Sequence, residues 1–100
     1  MTYCCEWDDQ KAAANEAKHG VSFVEAATVL ADRLAAIFDD PDHSDEEPRE
    51  IIVGHSEGGR LLVVSFVQRG DRVRIISARE ATRREQLDYE ESPLSGWHDE

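Results

Sequence analysis

Residues Gly59–Glu85 read GRLLVVSFVQRGDRVRIISAREATRRE, and the fold follows from how this stretch pairs with itself. Leu61 to Val67 is rich in Leu, Val and Phe, as a strand buried on both faces would be, and is too short to span a membrane. Gly70-Asp71 suits a two-residue hairpin turn of type II′. Beyond it Val73 to Arg79 alternates apolar and polar, and Glu80 to Tyr89 reads as a helix. With Gly70 and Asp71 as the turn, Arg69 faces Arg72, Phe66 faces Ile75 and Leu62 faces Arg79. Side chains alternate along a strand, so Arg60 shares a face with Leu62 and hence with Arg79, at the end of the hairpin away from the turn. Arg83 and Arg84 fall on the first turns of the following helix. Two or three guanidinium groups meeting there would suit a phosphate or a carboxylate. Arg69, Arg72 and Arg74 cluster at the turn end on the opposite face. The plainer reading of both groups is a solvated sheet face coated with arginine.

The chain has 100 residues, of which 40% are hydrophobic, enough for one domain with a modest core. The N-terminus lacks a basic region followed by an apolar run, so a soluble cytoplasmic protein is expected. Cys4 and Cys5 are neighbours and no other cysteine is present, which argues against a disulfide or a zinc site; both are read as reduced. The net charge of −11 argues at first against a nucleic-acid partner, but the charge is segregated. Residues 1–50 hold thirteen acids against four bases, whereas residues 60–84 hold seven arginines against two acids. Local potential governs contact with an anion, so an acidic chain can present a basic face.

From the N-terminus, Thr2 to Trp7 reads as an edge strand. Asp8 or Asp9 can cap a helix running to about Lys18, which Gly20 ends. Lys18 and His19 complement that helix C-terminus whether or not they do anything else. Ser22 to Glu25 is a capping box that opens a second helix to about Ala31, with Val21 placed to staple onto Ala26. Phe23, Ala26, Ala27, Leu30 and Leu34 recur at helical spacing and are read as core. Leu34 to Phe38 and Glu50 to His55 read as strands, separated by a polar loop. His43 stands among carboxylates in that loop, but the spacing matches no familiar metal site, so no metal is assigned. Residues 92–100 read as a loose tail bearing Trp97. The order strand, helix, helix, four strands, helix gives an α+β domain over residues 1–91. It has a mostly antiparallel sheet, two N-terminal helices on one face and a C-terminal helix.

Further pieces carry a family likeness: Glu6-Trp7-Asp8, Lys11 with Asn15, Lys18 through Phe23 with Glu25-Ala26, His43-Ser44, Arg49, Ile52 through Gly54 with Ser56, Gly59 through Val64, and Arg74 through Arg79 on to Ala81–Glu85 and Tyr89-Glu90. In this order they resemble the BrnT family of bacterial toxins from type II toxin–antitoxin modules, over nearly all of residues 3–91. The resemblance implies a RelE-like fold and a ribonuclease that shuts down translation without a cofactor. It implies neutralisation by a BrnA-type ribbon-helix-helix antitoxin, an assembly such as a dimer of toxin–antitoxin pairs, and operator DNA contacted only through the antitoxin. The chain departs from the family in its acidity, in Pro48 before Arg49, in Arg33 after Asp32 and in Cys4-Cys5.

An endonuclease of this type needs no metal, because the RNA 2′-hydroxyl attacks the adjacent phosphorus with help from a base, an acid and cations. The residues expected to carry this are Arg60 and Arg79 as a phosphate clamp, Arg83 joining from the helix, and His19 for proton transfer. Lys18, Arg72, Arg74 and Arg84 are the expected RNA-binding cations. Two other classes fit the sequence: a binding module that keeps the antitoxin contact without catalysis, and a metal-dependent hydrolase using His43.

Overall fold

The hairpin forms around Gly70, whose φ of +63° lies in the left-handed region that glycine enters without strain. In a computed structural model, which describes residues 4–39 and 49–91, the elements run β1 (Cys4–Glu6), α1 (Asp9–His19), α2 (Phe23–Val29), β2 (Ala36–Asp39), β3 (Arg49–His55), β4 (Leu61–Arg69), β5 (Arg72–Glu80) and α3 (Arg83–Glu91). The five strands form one sheet in the order β1-β5-β4-β3-β2. β1 runs parallel to β5 and the other pairings are antiparallel. The α+β class and the mostly antiparallel sheet agree with the sequence pattern. The loop holding His43 and the tail bearing Trp97 lie outside the described residues.

The register holds only part of the way. Arg69 pairs with Arg72 and Phe66 with Ile75, as the turn dictates, but Ser65 then pairs with Ser77. Ile76 is an extra residue in β5, a bulge, and one inserted residue sends every side chain beyond it to the other face. Leu62 therefore faces Glu80, and Arg79 faces Val63 instead. Arg60 and Arg79 stand on opposite faces, so the expected clamp between them does not form.

The two faces are covered differently. Phe23, Ala26 and Val29 of α2, with Val21, pack on Leu62, Val64, Phe66, Val73, Ile75 and Ala78. On the other face Tyr89 of α3 and Ala81 pack with Val53, Leu61 and Val63, beside Phe38 and Ile51. β4 thus has helices over both faces at its first half, which explains why Leu61 to Val64 is apolar without alternation. Burying each such side chain stabilises the fold by about 1.5–3 kcal/mol.

Local signals account for most boundaries. Asp8 caps α1 through the amides of Gln10 and Lys11, and Gly20 closes it at φ +71°. The buried side chain of α1 is Asn15, which accepts from the Ala78 amide and donates to the Ala78 and Val21 carbonyls. β1 pairs with β5 only at residues 72–74, and the Asn15 amide takes the place of a strand at Ala78. β2 begins two residues later than the apolar pattern suggests, because Asp32 accepts from the Leu34 amide and turns the chain. α3 begins at Arg83 rather than Glu80, since Glu80 ends β5 and Ala81 still donates to the Leu61 carbonyl. Thr82 and Glu85 then form a capping box, each side chain accepting the other's amide. Cys4 is exposed, Cys5 half-buried, and both are free thiols; burial pushes the Cys5 thiol up.

Candidate functional site

Arg60 is the centre of a closed charge knot on the α1/α2 side. Its Nε and Nη2 grip the Glu25 carboxylate from the side, with Nε 3.0 Å from Oε2. Nη2 also donates to the Gly20 carbonyl at 3.1 Å, and Nη1 to Glu80 Oε2 at 3.1 Å. Ser56 Oγ donates to Glu25 at 2.7 Å and accepts from the Arg60 amide. The Ser22 hydroxyl caps α2 as the capping-box pattern foresees, but the Glu25 carboxylate reaches across to Arg60 instead of back to its own helix. Arg60 holds the Glu25 carboxyl below its ordinary range, with Ser56 assisting, and Glu25 raises Arg60 in turn. Both bidentate edges of the guanidinium are occupied, so Arg60 ties α2, the end of α1 and β5 together and has little left for a ligand.

Arg79 is different. Its end-on edge, Nη1 and Nη2, binds the two oxygens of Glu85 at 2.8 and 3.0 Å, and Nη1 also donates to the Glu80 carbonyl at 3.2 Å. The side-on edge, Nε–H and the second Nη2–H, has no acceptor among the described residues. An arginine held end-on with its side-on edge open can take a phosphate without releasing its carboxylate. Arg79 pulls the Glu85 carboxyl down to about 2, and Glu85 raises Arg79.

The face that carries Arg79 is basic along its length. On β5, Arg72, Arg74, Ser77 and Arg79 lie opposite Arg69, Val67, Ser65 and Val63 of β4, and Arg49 of β3 lies opposite Val67. Glu6, in register with Arg74, bonds Arg72 at 3.2 Å and Arg74 at 3.3 Å, and lies 4.0 Å from Arg69. Arg72 is the main cause of the lowered Glu6 carboxyl. One described carboxylate, Glu6, thus lies against three guanidinium groups. Among the described residues, Arg49, Arg72, Arg74 and Arg79 share this face with the carboxylates of Glu6 and Glu85, in a chain of net charge −11. α3 covers it only at the Val53–Val63 end. Bulge and register therefore move Arg79 away from Arg60 and onto the same face as Arg72 and Arg74.

The remaining expected residues are scattered. Lys18 and His19 are exposed on the last turn of α1. Arg60 binds the next residue's carbonyl, so the end of α1 does reach the open end of the hairpin, but on the side away from Arg79. Arg83 and Arg84 are exposed on the first turn of α3, with Arg84 4.0 Å from Asp88 one turn on. Glu25, Glu85 and Ser56 organise the arginines yet were not singled out. The Thr82–Glu85 spacing was the legible signal for one of them. Among the described residues no cluster of His, Cys, Asp and Glu could hold a metal ion. No helix among them is long and apolar enough to cross a membrane.

A groove of about 320 Å³ opens at the other end of α3, lined by His55, Arg60, Glu80, Gln86, Tyr89 and Glu90 among others. The His55 ring meets Tyr89 edge-on at 5.6 Å, and Asp32 accepts the His55 amide at 2.7 Å. The groove thus carries an imidazole, but Arg79 meets the first turn of α3 and His55 the last.

Comparison with known proteins bears on the family and the fold. The family model of the ribonuclease toxin BrnT, of type II toxin–antitoxin systems, matches residues 7–85. Among solved structures, the crystal structure of the Brucella abortus ribonuclease toxin BrnT is similar, with a TM-score of 0.64 and 28% sequence identity. That match covers 82% of this chain and 100% of the Brucella chain. No curated protein matches the chain.

Proposed function

Because this chain belongs to the BrnT family of ribonuclease toxins from type II toxin–antitoxin systems, we propose that it is a metal-independent endoribonuclease acting in the cytoplasm to stop translation. The basic sheet face carries the reading: Arg72, Arg74 and Arg79 line one face of β5, and Arg79 keeps a guanidinium edge with no acceptor among the described residues. RNA phosphates lie along Arg72, Arg74 and Arg79, two of them one strand repeat apart on the same face. The 2′-hydroxyl gives up its proton and attacks the neighbouring phosphorus, the P–O5′ bond breaks to leave a 2′,3′-cyclic phosphate and a 5′-hydroxyl that takes up a proton, and Arg79 stabilises the charge that grows on the non-bridging oxygens. Arg83 and Arg84, at the start of α3, approach the strand from the helix side. His19 and Lys18 sit beyond the Arg60 knot and act only on RNA that rounds the end of β5.

The partner is a BrnA-type ribbon-helix-helix antitoxin that brings acidic groups to the arginines and covers the outer face of α3. Tyr89 anchors that helix to its own sheet, donating its hydroxyl proton to the Leu34 carbonyl at 2.9 Å, while Leu87 is 44% exposed. Operator DNA is contacted through the antitoxin, in a dimer of toxin–antitoxin pairs. Incubation of the purified protein with RNA in a chelator tests the activity: cleavage is expected to continue, and loss of cleavage on chelation rules the mechanism out. The net charge of −11 favours a second reading, an antitoxin-binding module without catalysis. Growth arrest on induction without the antitoxin separates the two. Hydrogen exchange over residues 80–91 should slow when the antitoxin is added; equal exchange in both states places the partner elsewhere.

A further inference from the structure

We infer that Glu85 is a positioning residue for Arg79, holding the guanidinium end-on so that its Nε–H and second Nη2–H meet an RNA phosphate; this rests on the ribonuclease reading above. Glu85 makes three kinds of contact at once. It takes both Nη groups of Arg79, it accepts the Thr82 amide at 2.8 Å, and its own amide donates to Thr82 Oγ1 at 3.1 Å. The capping box therefore does two things: it starts α3 and it fixes an arginine on the strand that precedes the helix. A free arginine side chain on a strand samples many rotamers, and freezing it before the ligand arrives removes that cost from binding. The Glu80 carbonyl, at 3.2 Å from Nη1, completes the cradle from the backbone. All the groups that orient Arg79 bind its Nη1 and Nη2, and Nε–H is left outside the cradle on the face that also carries Ser77 and Arg74. Arg60 shows the contrast, since Glu25 occupies its side-on edge and Glu80 with Gly20 its other donors.

The pair also ties the site to the helix. Unwinding the first turn of α3 breaks the contact that aims Arg79, so a partner that draws α3 away from the sheet would disarm the face without touching the RNA path.

Glu85→Gln separates aiming from capping. Glutamine still accepts the Thr82 amide, because a capping box takes Glu or Gln equally, but it cannot give Arg79 two anionic oxygens. Thr82→Ala does the reverse. Cleavage of a short oligoribonucleotide is expected to fall in kcat by roughly ten- to a hundredfold in Glu85→Gln, the scale of a misplaced catalytic group. Thr82→Ala is expected to keep its rate while melting earlier. The double variant Glu85→Gln/Arg79→Ala should be no slower than Arg79→Ala alone, because Glu85 acts through Arg79. A second readout needs no turnover: the Arg79 Nε–H resonance, followed by NMR as a 2′-O-methyl hexaribonucleotide is added, should shift in the unaltered protein and not in Glu85→Gln. If that resonance shifts but RNA is not cut, the positioning role stands and the ribonuclease reading fails. A Glu85→Gln variant with unaltered cleavage and an unaltered shift, or an unaltered protein whose Arg79 resonance does not move, overturns the inference.

Discussion

Arg60 and Arg79 both bind Glu80, yet they stand on opposite faces of the sheet: Arg60 takes its carboxylate at 3.1 Å and Arg79 its carbonyl at 3.2 Å. A side chain points to one face while the backbone carbonyl lies in the plane of the strand, so one residue serves both without bringing them together. The Ile76 bulge causes the separation. Without it Arg79 would take the place of Glu80 beside Arg60 on the α1/α2 side, Glu80 would turn to the other face, and the basic face would lose the arginine nearest α3.

The two arginines should therefore fail differently. Arg79→Ala is expected to cut RNA cleavage by roughly a hundredfold or more, the usual effect of losing one preorganised donor, and to lower the melting temperature as well, since Glu85 loses the group that holds its carboxyl down. Arg79→Lys should not restore it, because a single ammonium cannot hold Glu85 and a phosphate at two edges. Arg60→Ala should lower the melting temperature by more, since it strands Glu25, and should leave the rate per folded molecule unchanged. Parallel melting and cleavage assays read both. A catalytic defect in Arg60→Ala with normal melting would restore the shared clamp.

Asn15 is the second point of failure. Its side chain satisfies three buried backbone groups, two on Ala78 and one on Val21, at 2.8–3.1 Å. Asn15→Ala leaves those groups unpaired and should cost about 3 kcal/mol. Urea unfolding measures it, and a loss under about 1 kcal/mol would mean that water replaces the amide at no penalty.

Acid should unfold the protein by a route that the pairs define. Glu85 titrates near 2 in the folded chain against an ordinary 4.5, and Glu25, Glu6 and Asp8 are shifted in the same direction. A carboxylate with a lowered folded pKa binds its proton more readily when unfolded. Its stabilisation is complete above the ordinary value and drains away as pH falls toward the folded one. Melting temperature should thus be flat near neutrality and drop between about pH 4.5 and 2. Glu85→Gln should flatten part of that drop.

Much of this was legible in the residues, and the losses have physical causes. Asp8, Gly20 and Ser22 announce the helix ends because capping depends on a few neighbours. The Gly70 turn determines the pairing from Arg69–Arg72 to Phe66–Ile75 for the same reason. The bulge at Ile76 is not local in this sense: Arg74-Ile75-Ile76-Ser77 has no glycine to mark it, and its offset shows only in which partner Leu62 meets. The expected clamp of Arg60 with Arg79 fails at that one position, since moving Arg79 by one residue changes its face. Glu25 and Glu85 were missed because a carboxylate in a capping box has an expected local partner, and their long reach to Arg60 and Arg79 is tertiary.

The last prediction concerns how an acidic protein handles a polyanion. At physiological ionic strength charges separated by more than about 8 Å are largely screened, so RNA near Arg72, Arg74 and Arg79 responds to those groups and hardly to the remaining acids. As salt is lowered the screening length grows to about 30 Å at 0.01 M, and the net −11 begins to repel the strand. Affinity for single-stranded RNA should then rise on dilution as counterions are released and level off or fall at the lowest salt. A basic nuclease would keep rising. In the linear range three phosphate contacts give a slope of about −2 in log K against log salt, at roughly −0.7 per contact. Removing Arg72 and Arg74 together should bring the slope to about −0.7. Fluorescence anisotropy of a labelled, non-cleavable oligoribonucleotide measures it across a salt series. An unchanged slope in the Arg72→Ala/Arg74→Ala variant would put the RNA on another surface, whereas a reduced slope with cleavage lowered mainly through KM would make these two residues the track and leave Arg79 the residue at the scissile phosphate.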